Sequence, residues 1–366
     1  MTGSSSTSMK VAVYYGRGDV RVEERARPRL GEGQALLRVL RSGICGTDAT
    51  EWKSGPLIFP VDRAHPVSGH RGPLILGHEF VGEIVELSPE GSEGFHVGDH
   101  VASGAGVSCG RCDRCREGRT NLCEEYVTYG LNVDGGLAEY VAVDTSTLVP
   151  IPAGCSLDVA GVAQPLAVGL HAARRAGVRD GDRVILYGAG AIGTFILAGL
   201  ASLVDADITV VDFAGPRLDR ALRVGAARVV PVGDGTTEVL REAVGPRGAD
   251  VVIEATGAPG QLTHALGLVR PGGTILCVGL PSTPQELDMH RLVLNEVTLA
   301  TTVAHVCGED LAPALEILAE TELGDALVEA VYPLSEVPAQ LARLARGEIH
   351  GKVLFDPTRR AVDQER

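Results

Sequence analysis

The chain has 366 residues, 45% of them hydrophobic, with 33 Lys and Arg against 47 Asp and Glu for a net charge of −14. That length supports two domains with proper cores, and the acidic balance argues against nucleic acid or anionic membrane as a partner. No apolar run approaches a membrane span, and the polar start Thr2-Gly-Ser-Ser-Ser-Thr-Ser8 lacks the charged region and apolar core of a signal peptide.

Residues 1–9 read as a disordered tail. From 10 to about 150 the chain is rich in glycine and short β-type runs, such as Ala35-Leu-Leu-Arg-Val-Leu40 and Gly82-Glu-Ile-Val-Glu-Leu87, cut by turn residues. This predicts a β-rich domain over 10–160. Near Leu157 the texture changes. Apolar strands at 183–187, 208–211, 227–230, 250–253 and 274–278 alternate with amphipathic helices over 161–304. Continuous apolar strands separated by helices predict a parallel sheet covered on both faces. The stretch 311–356 reads as helices and one strand, Lys352-Val-Leu-Phe355. It is too short for a domain of its own and is expected to return to the first, which then comprises 10–160 and 305–366.

Four cysteines form the densest motif: Cys109-Gly-Arg-Cys112-Asp-Arg-Cys115, then Cys123. Four thiolates so spaced can close a tetrahedral shell around one structural zinc, with no open position for a substrate. A bacterial-type iron–sulfur run would place the last cysteine after three residues and before proline; here the gap is seven residues and Glu124 follows. Disulfides between cysteines three apart are poorly placed. The zinc lobe is expected over 104–125. Eight cysteines with such a cluster suggest a reducing, cytoplasmic setting.

Strand 184–187 runs into Gly188-Ala-Gly190-Ala191-Ile192-Gly193 and an apolar helix from Thr194 to Leu203. In that context the glycines read as a dinucleotide site. The first permits the tight turn, the second lets backbone approach a pyrophosphate, and the third lets helix and strand pack. The helix N-terminus offers free N–H groups to phosphate. Asp212 ends the next strand, where a carboxylate accepts from both ribose hydroxyls and repels a 2′-phosphate, so NAD is favoured over NADP; the alternative is a cap for the following helix. Arg217 is placed either against the adenosine or in solvent.

Upstream lie Gly43-Ile-Cys45-Gly-Thr47-Asp48 and Gly77-His78-Glu79-Phe-Val-Gly82. A lone Cys is usually a small buried hydrophobe. Beside a dinucleotide motif and a structural metal lobe, however, Cys45, His78 and Glu79 make a coherent ligand set with a fourth position open, the arrangement of a catalytic zinc.

These motifs, with Asp134-Gly-Gly-Leu-Ala-Glu-Tyr140 between them, occur in the order of the zinc-dependent medium-chain dehydrogenase/reductases, and the chain resembles that superfamily from Met9 to Asp356. The stretch Trp52-Lys-Ser-Gly-Pro-Leu-Ile-Phe-Pro60, with His65-Pro66 and Leu76-Gly-His-Glu79, is similar to the (R,R)-butanediol dehydrogenase branch, near sorbitol and threonine dehydrogenases. The resemblance implies an α/β chain made of a GroES-like β-rich catalytic domain and a Rossmann coenzyme domain, with two zinc ions per chain. It implies oxidation of a secondary alcohol, of vicinal-diol or polyol type, to a ketone with a nicotinamide cofactor. Thr47 would take the substrate's hydroxyl proton, Asp48 would fix the His78 tautomer or serve only as a turn residue, and Thr256, Val278 and Gly279 would meet the nicotinamide half. It also implies a homodimer or homotetramer, for which the β-branched run 296–303 suits edge pairing.

Two positions depart from the pattern. Many polyol-type relatives carry Glu where this chain has Gln164, a position that touches the metal directly or through water. A neutral amide leaves the metal a stronger Lewis acid. Some sugar dehydrogenases of this family carry Gln here, and that resemblance implies a sugar, cyclitol or aminocyclitol dehydrogenase as an alternative. Thr50 stands where a proton-relay His is common, and a threonine hydroxyl does not titrate near neutral pH. A reading of another class is a catalytically silent dinucleotide-binding protein on the same fold.

Overall fold

The computed structural model describes residues 7–91, 93–281 and 283–359. The chain divides into two compact units, one of residues 1–164 with 306–366 and the other of 165–305. The sequence placed these joins at 160/161 and 304/305. Among the described residues no helix is long and apolar enough to cross a membrane.

The first unit is built on a seven-stranded sheet. Along it lie Leu148–Pro150, His100–Ser103, Phe80–Leu87, Gln34–Gly43, Lys352–Asp356 and Val328–Pro333, and Tyr140–Asp144 also pairs with Gln34–Gly43. Leu37, Val39, Phe80, Ile84, Val101 and Val143 pack as one buried cluster on this sheet. Their alternation with half-exposed Arg38 and Glu83 is the period of two that one covered face requires. A three-stranded sheet, ordered Asp19–Ala26, Ser8–Gly16, Leu74–Ile75, lies beside it in the chain's path. Its middle strand begins at Ser8, which pairs with Ala26, while Met9 pairs with Arg25 and is buried. Ser8 and Met9 of the tail expected over 1–9 therefore belong to a strand; residues 1–6 lie outside the described residues. The closing segment contains two strands where the sequence suggested one. Val328–Pro333 was missed because its outward positions are only half-buried, so its apolar signal is diluted.

The second unit is a six-stranded, all-parallel sheet. Its spatial order is Arg228–Pro231, Asp207–Asp212, Arg183–Tyr187, Ala249–Glu254, Val269–Cys277, Thr298–Thr301, or 3-2-1-4-5-6 in chain order. Ile185, Val211, Val252 and Ile275 join one buried cluster, as strands covered by helices on both faces must. This is the doubly wound Rossmann arrangement, whose order reverses between the first and fourth strands. Ligands bind at that switch point, outside the carboxyl ends of the strands.

Candidate metal centres and dinucleotide site

In the first unit, sheet register assembles the first centre. Strand Gln34–Gly43 pairs antiparallel with Phe80–Leu87, with Ser42 opposite Phe80, so the residues just after one strand meet those just before the other. Gly43 N–H donates to the Glu79 carbonyl at 2.7 Å. A Cβ on Gly43 would sit 2.4 Å from Glu79 Oε2, so any larger residue there would have to displace the Glu79 carboxylate.

Cys45 caps the helix Gly46–Ser54. Its Sγ accepts from Thr47 N–H at 3.3 Å, and its own N–H donates to Asp48 Oδ2 at 2.9 Å, a reciprocal cap. The sulfur thus lies at a helix N-terminus, where negative charge is favoured. His78 Nε2 stands 3.2 Å from Cys45 Sγ. Ligand atoms of Cys45, His78 and Glu79 all lie within 4.8 Å of one another, and His78 and Glu79 are buried.

The surroundings carry an excess of negative charge. Burial works against a charged His78, but Cys45, Asp48 and Glu79 outweigh it and push its pKa up to about 10. Burial likewise pushes Asp48 up, with His78 and the Cys45 N–H pulling it back. His78 Nδ1 and Asp48 Oδ1 have no hydrogen-bond partner among the described residues. A divalent cation among Cys45 Sγ, His78 Nε2 and Glu79 answers this arrangement with suitable donors, so the residues fit a zinc ion. The sequence reading had Asp48 accepting the His78 N–H. Their atoms are instead 3.9 Å apart, too long for a hydrogen bond, because the cap holds the Asp48 carboxylate toward Cys45.

Lys352 was missed. Its Nζ donates to Glu79 Oε1 at 2.5 Å and lies equally close to Oε2, with the lysine side chain only 4% exposed. It arrives because Lys352–Asp356 pairs with the other edge of Gln34–Gly43, Leu354 opposite Gly43. The only sequence signal was a lysine opening an otherwise apolar strand; its partner lies 273 residues away. Thr47 is half-buried in the first helical turn, and the exposed Thr50 hydroxyl donates to the Gly46 carbonyl at 2.8 Å. Gln164 is half-buried in the first turn of helix Ala163–Ala176 and hydrogen-bonds none of the three ligands.

The second centre, in the same unit, is local. Cys109, Cys112, Cys115 and Cys123 place their sulfurs within 4.8 Å of one another. Backbone amides turn toward them: Cys109 N–H to Cys123 Sγ at 3.2 Å, Cys112 N–H to Cys109 Sγ at 3.4 Å, Glu125 N–H to Cys123 Sγ at 3.3 Å. The N–H groups of Glu124 and Cys115 pull the Cys112 thiol down to about 6. Four converging thiols served by amides fit a closed tetrahedral zinc site.

In the second unit, Gly188 has φ +99°, which glycine alone adopts freely. A Cβ on Gly193 would lie 1.8 Å from the Gly188 carbonyl, whereas a Cβ on Gly190 would meet nothing. Protein packing therefore demands glycine at 193 but not at 190. Open space there, before the uncapped helix Ala191–Leu203, is a cradle that a side chain would fill and a pyrophosphate fits. Ala191 and Ile192 supply the first turn. Asp212 is buried; its Oδ2 accepts from Ala189 N–H and its Oδ1 from Phe213 N–H, both at 2.6 Å, so it also braces the glycine turn. Arg217 is half-buried in helix Pro216–Val224. Thr256 is exposed, and Val278 and Gly279 are half-buried, after adjacent strands on the same side.

Comparison with known proteins agrees with this anatomy. Residues 31–153 match the model of the alcohol dehydrogenase GroES-like domain, and 191–320 that of the zinc-binding dehydrogenases. Sorbitol dehydrogenase of Bacillus subtilis (strain 168) is 33% identical over 303 residues, 82% of this chain and 83% of that protein. The (R,R)-butanediol dehydrogenase of the same organism is 32% identical over 310 residues, covering 84% and 87%. The crystal structure of 2R,3R-butanediol dehydrogenase from Bacillus subtilis superposes with a TM-score of 0.88 at 29% identity, over 96% of this chain and all of that one. With both metal-ligand sets intact on this two-unit architecture, the chain belongs to the zinc-containing medium-chain alcohol dehydrogenase superfamily, oxidoreductases of alcohols and polyols.

Proposed function

We propose that this protein oxidises a secondary alcohol, of vicinal-diol or polyol type, reversibly to a ketone with NAD as acceptor, binding two zinc ions per chain. The observation that carries the reading is the convergence of Cys45, His78 and Glu79 within 4.8 Å, with Thr47 two residues beyond the cysteine. When bound, zinc and NAD would supply what side chains lack: Lewis-acid polarisation of the substrate oxygen and a hydride acceptor.

The chain's own residues do the rest. Cys45, His78 and Glu79 hold the metal, and Thr47 and Asp48 hold Cys45. The Thr47 hydroxyl takes the substrate's proton. Thr50 cannot titrate, so the proton leaves through water or another side chain. Lys352 holds Glu79 and offsets the nearby Asp48 carboxylate, which keeps the metal-loaded site from carrying a net negative charge that would disfavour a deprotonated substrate oxygen. Gly188, Gly190, Ala191, Ile192 and Gly193 hold the pyrophosphate, Asp212 and Arg217 the adenosine, and Thr256, Val278 and Gly279 the nicotinamide half.

The test is NADH formation across 2,3-butanediol, sorbitol, glucose, myo-inositol, aminocyclitols and threonine. A diol or polyol preference supports the reading. Gln164 favours a second one, a sugar, cyclitol or aminocyclitol dehydrogenase, which the same panel would reveal. No turnover with any alcohol, with cofactor bound, would leave a silent binding protein. Asp212 predicts NAD over NADP. Asp212→Asn should narrow that preference by about tenfold, read as the ratio of kcat/KM values; an unchanged ratio would remove Asp212 from the argument. We place the protein in the cytoplasm as a homodimer or homotetramer. Strand Thr298–Thr301, with Val269–Cys277 its only neighbour among the described strands, is the open edge for a second copy.

A further inference from the structure

We propose that Glu254 is the positioning residue for the nicotinamide half of the cofactor, acting through the loops that follow the fourth and fifth strands of the parallel sheet. The inference rests on the dinucleotide reading above. In a sheet of this order each mononucleotide half lies over one half of the sheet, and the loops after the fourth and fifth strands serve the second half.

Glu254 ends strand Ala249–Glu254 and is 3% exposed. A carboxylate at that depth must be satisfied by hydrogen bonds. Its Oε1 accepts from Thr256 N–H at 2.7 Å, from the Thr256 hydroxyl, and from Gly257 N–H at 3.0 Å. Its Oε2 lies 3.1 Å from the Gly257 nitrogen. The Glu254 backbone carbonyl in turn accepts from Val278 N–H at 2.8 Å and Gly279 N–H at 3.0 Å. One residue thus ties its own loop with its side chain and the next strand's loop with its main chain.

The packing leaves no slack. A Cβ on Gly279 would lie 2.0 Å from the Gly257 nitrogen and 2.8 Å from Glu254 Oε2. A Cβ on Gly257, at φ +67°, would lie 2.6 Å from the Leu280 carbonyl oxygen. The clamp also reaches the first glycine of the cofactor turn: Ala255 N–H donates to the Tyr187 carbonyl at 2.9 Å, and a Cβ on Gly188 would meet Thr256 Cγ2 at 3.0 Å. Asp212 braces the other side of that turn through Ala189. Two buried carboxylates therefore fix the binding edge, Asp212 for the adenosine half and Glu254 for the other. An ordinary strand-end cap would explain the bonds to Thr256 and Gly257, but not the seating of Gly279 directly against the carboxylate.

The test compares binding of NADH with binding of ADP-ribose, which lacks the nicotinamide, in the zinc-loaded full chain by calorimetry. Glu254→Gln keeps the shape but places an amide among donors. It should weaken NADH by about tenfold or more and ADP-ribose by no more than about twofold. Equal weakening of both, or no weakening of either, would overturn the proposal. If Glu254→Gln does not fold, Thr256→Val carries the same comparison. It should weaken NADH alone by about threefold, and parallel losses or none would overturn the proposal. If the wild type binds NADPH in place of NADH, the NAD reading fails separately, and the Glu254 comparison is made with NADPH.

Discussion

The two metal-ligand sets of the first unit are assembled in opposite ways. Cys109, Cys112, Cys115 and Cys123 lie on one short stretch, and backbone amides of that stretch serve their sulfurs. Cys45, His78 and Glu79 meet only because two antiparallel strands align Ser42 with Phe80, and a third strand brings Lys352. The first set is all thiolate and closed. The second mixes sulfur, imidazole and carboxylate, buries the latter two, and includes a counter-cation. A local, closed site suits a metal that stabilises structure, whereas a site spread over a sheet suits a metal whose charge is tuned for chemistry.

The largest effect that would break this contrast is expected at Cys45. Cys45→Ser should lower kcat by on the order of a thousandfold or more, with melting temperature nearly unchanged. Retained turnover would show that the spread site is not catalytic. At the other centre, Cys112→Ser should lower the melting temperature by more than about 10 °C while the remaining folded enzyme turns over normally at low temperature. Lost activity with unaltered melting would reverse the two roles.

Lys352→Met sharpens the comparison, since only the spread site has a buried cation. Removing it strands the Glu79 carboxylate in the metal-free protein, at a cost of about 3 kcal/mol by chemical denaturation. Zinc should recover most of this, because the freed carboxylate binds it more tightly. Equal losses with and without zinc would make Lys352 a packing residue.

The smallest effect lies outside both centres. Burial raises the Asp250 carboxyl, but Arg183 N–H, Arg270 and Arg247 outweigh it and hold the group below the ordinary carboxylate range. A depressed pKa gives stability present above about pH 4 and lost as pH falls through the folded-state value. Asp250→Asn should therefore cost about 1–2 kcal/mol near neutral pH, with the two proteins converging in acid. A constant gap across pH would contradict the ionic origin.

The contrast also explains what the sequence disclosed. The cysteine lobe and the glycine turn were legible because ligands and spacing are local. The parallel strands were legible because burial on both faces leaves unbroken runs such as Val184–Leu186 and Val251–Ile253. Cys45, His78 and Glu79 became legible only beside the other two motifs, since nothing local says that residue 45 meets residue 79. Lys352 stayed silent. A charged residue at a strand end looks solvated until its neighbours are known, and those of Lys352 come from the far end of the chain. The sequence could not show that Asp48 divides its carboxylate, with Oδ2 on the Cys45 cap and Oδ1 facing His78 Nδ1 at 3.9 Å.

The central claim, that the chain holds one structural and one catalytic zinc, is tested most directly by counting metal in wild type, Cys45→Ser and Cys112→Ser purified in parallel. The account predicts two zinc ions per wild-type chain, one for each ligand set, and one in each variant, with dehydrogenase activity absent only from Cys45→Ser. A wild type with a single zinc, or a Cys45→Ser protein that keeps both ions or its activity, would contradict it.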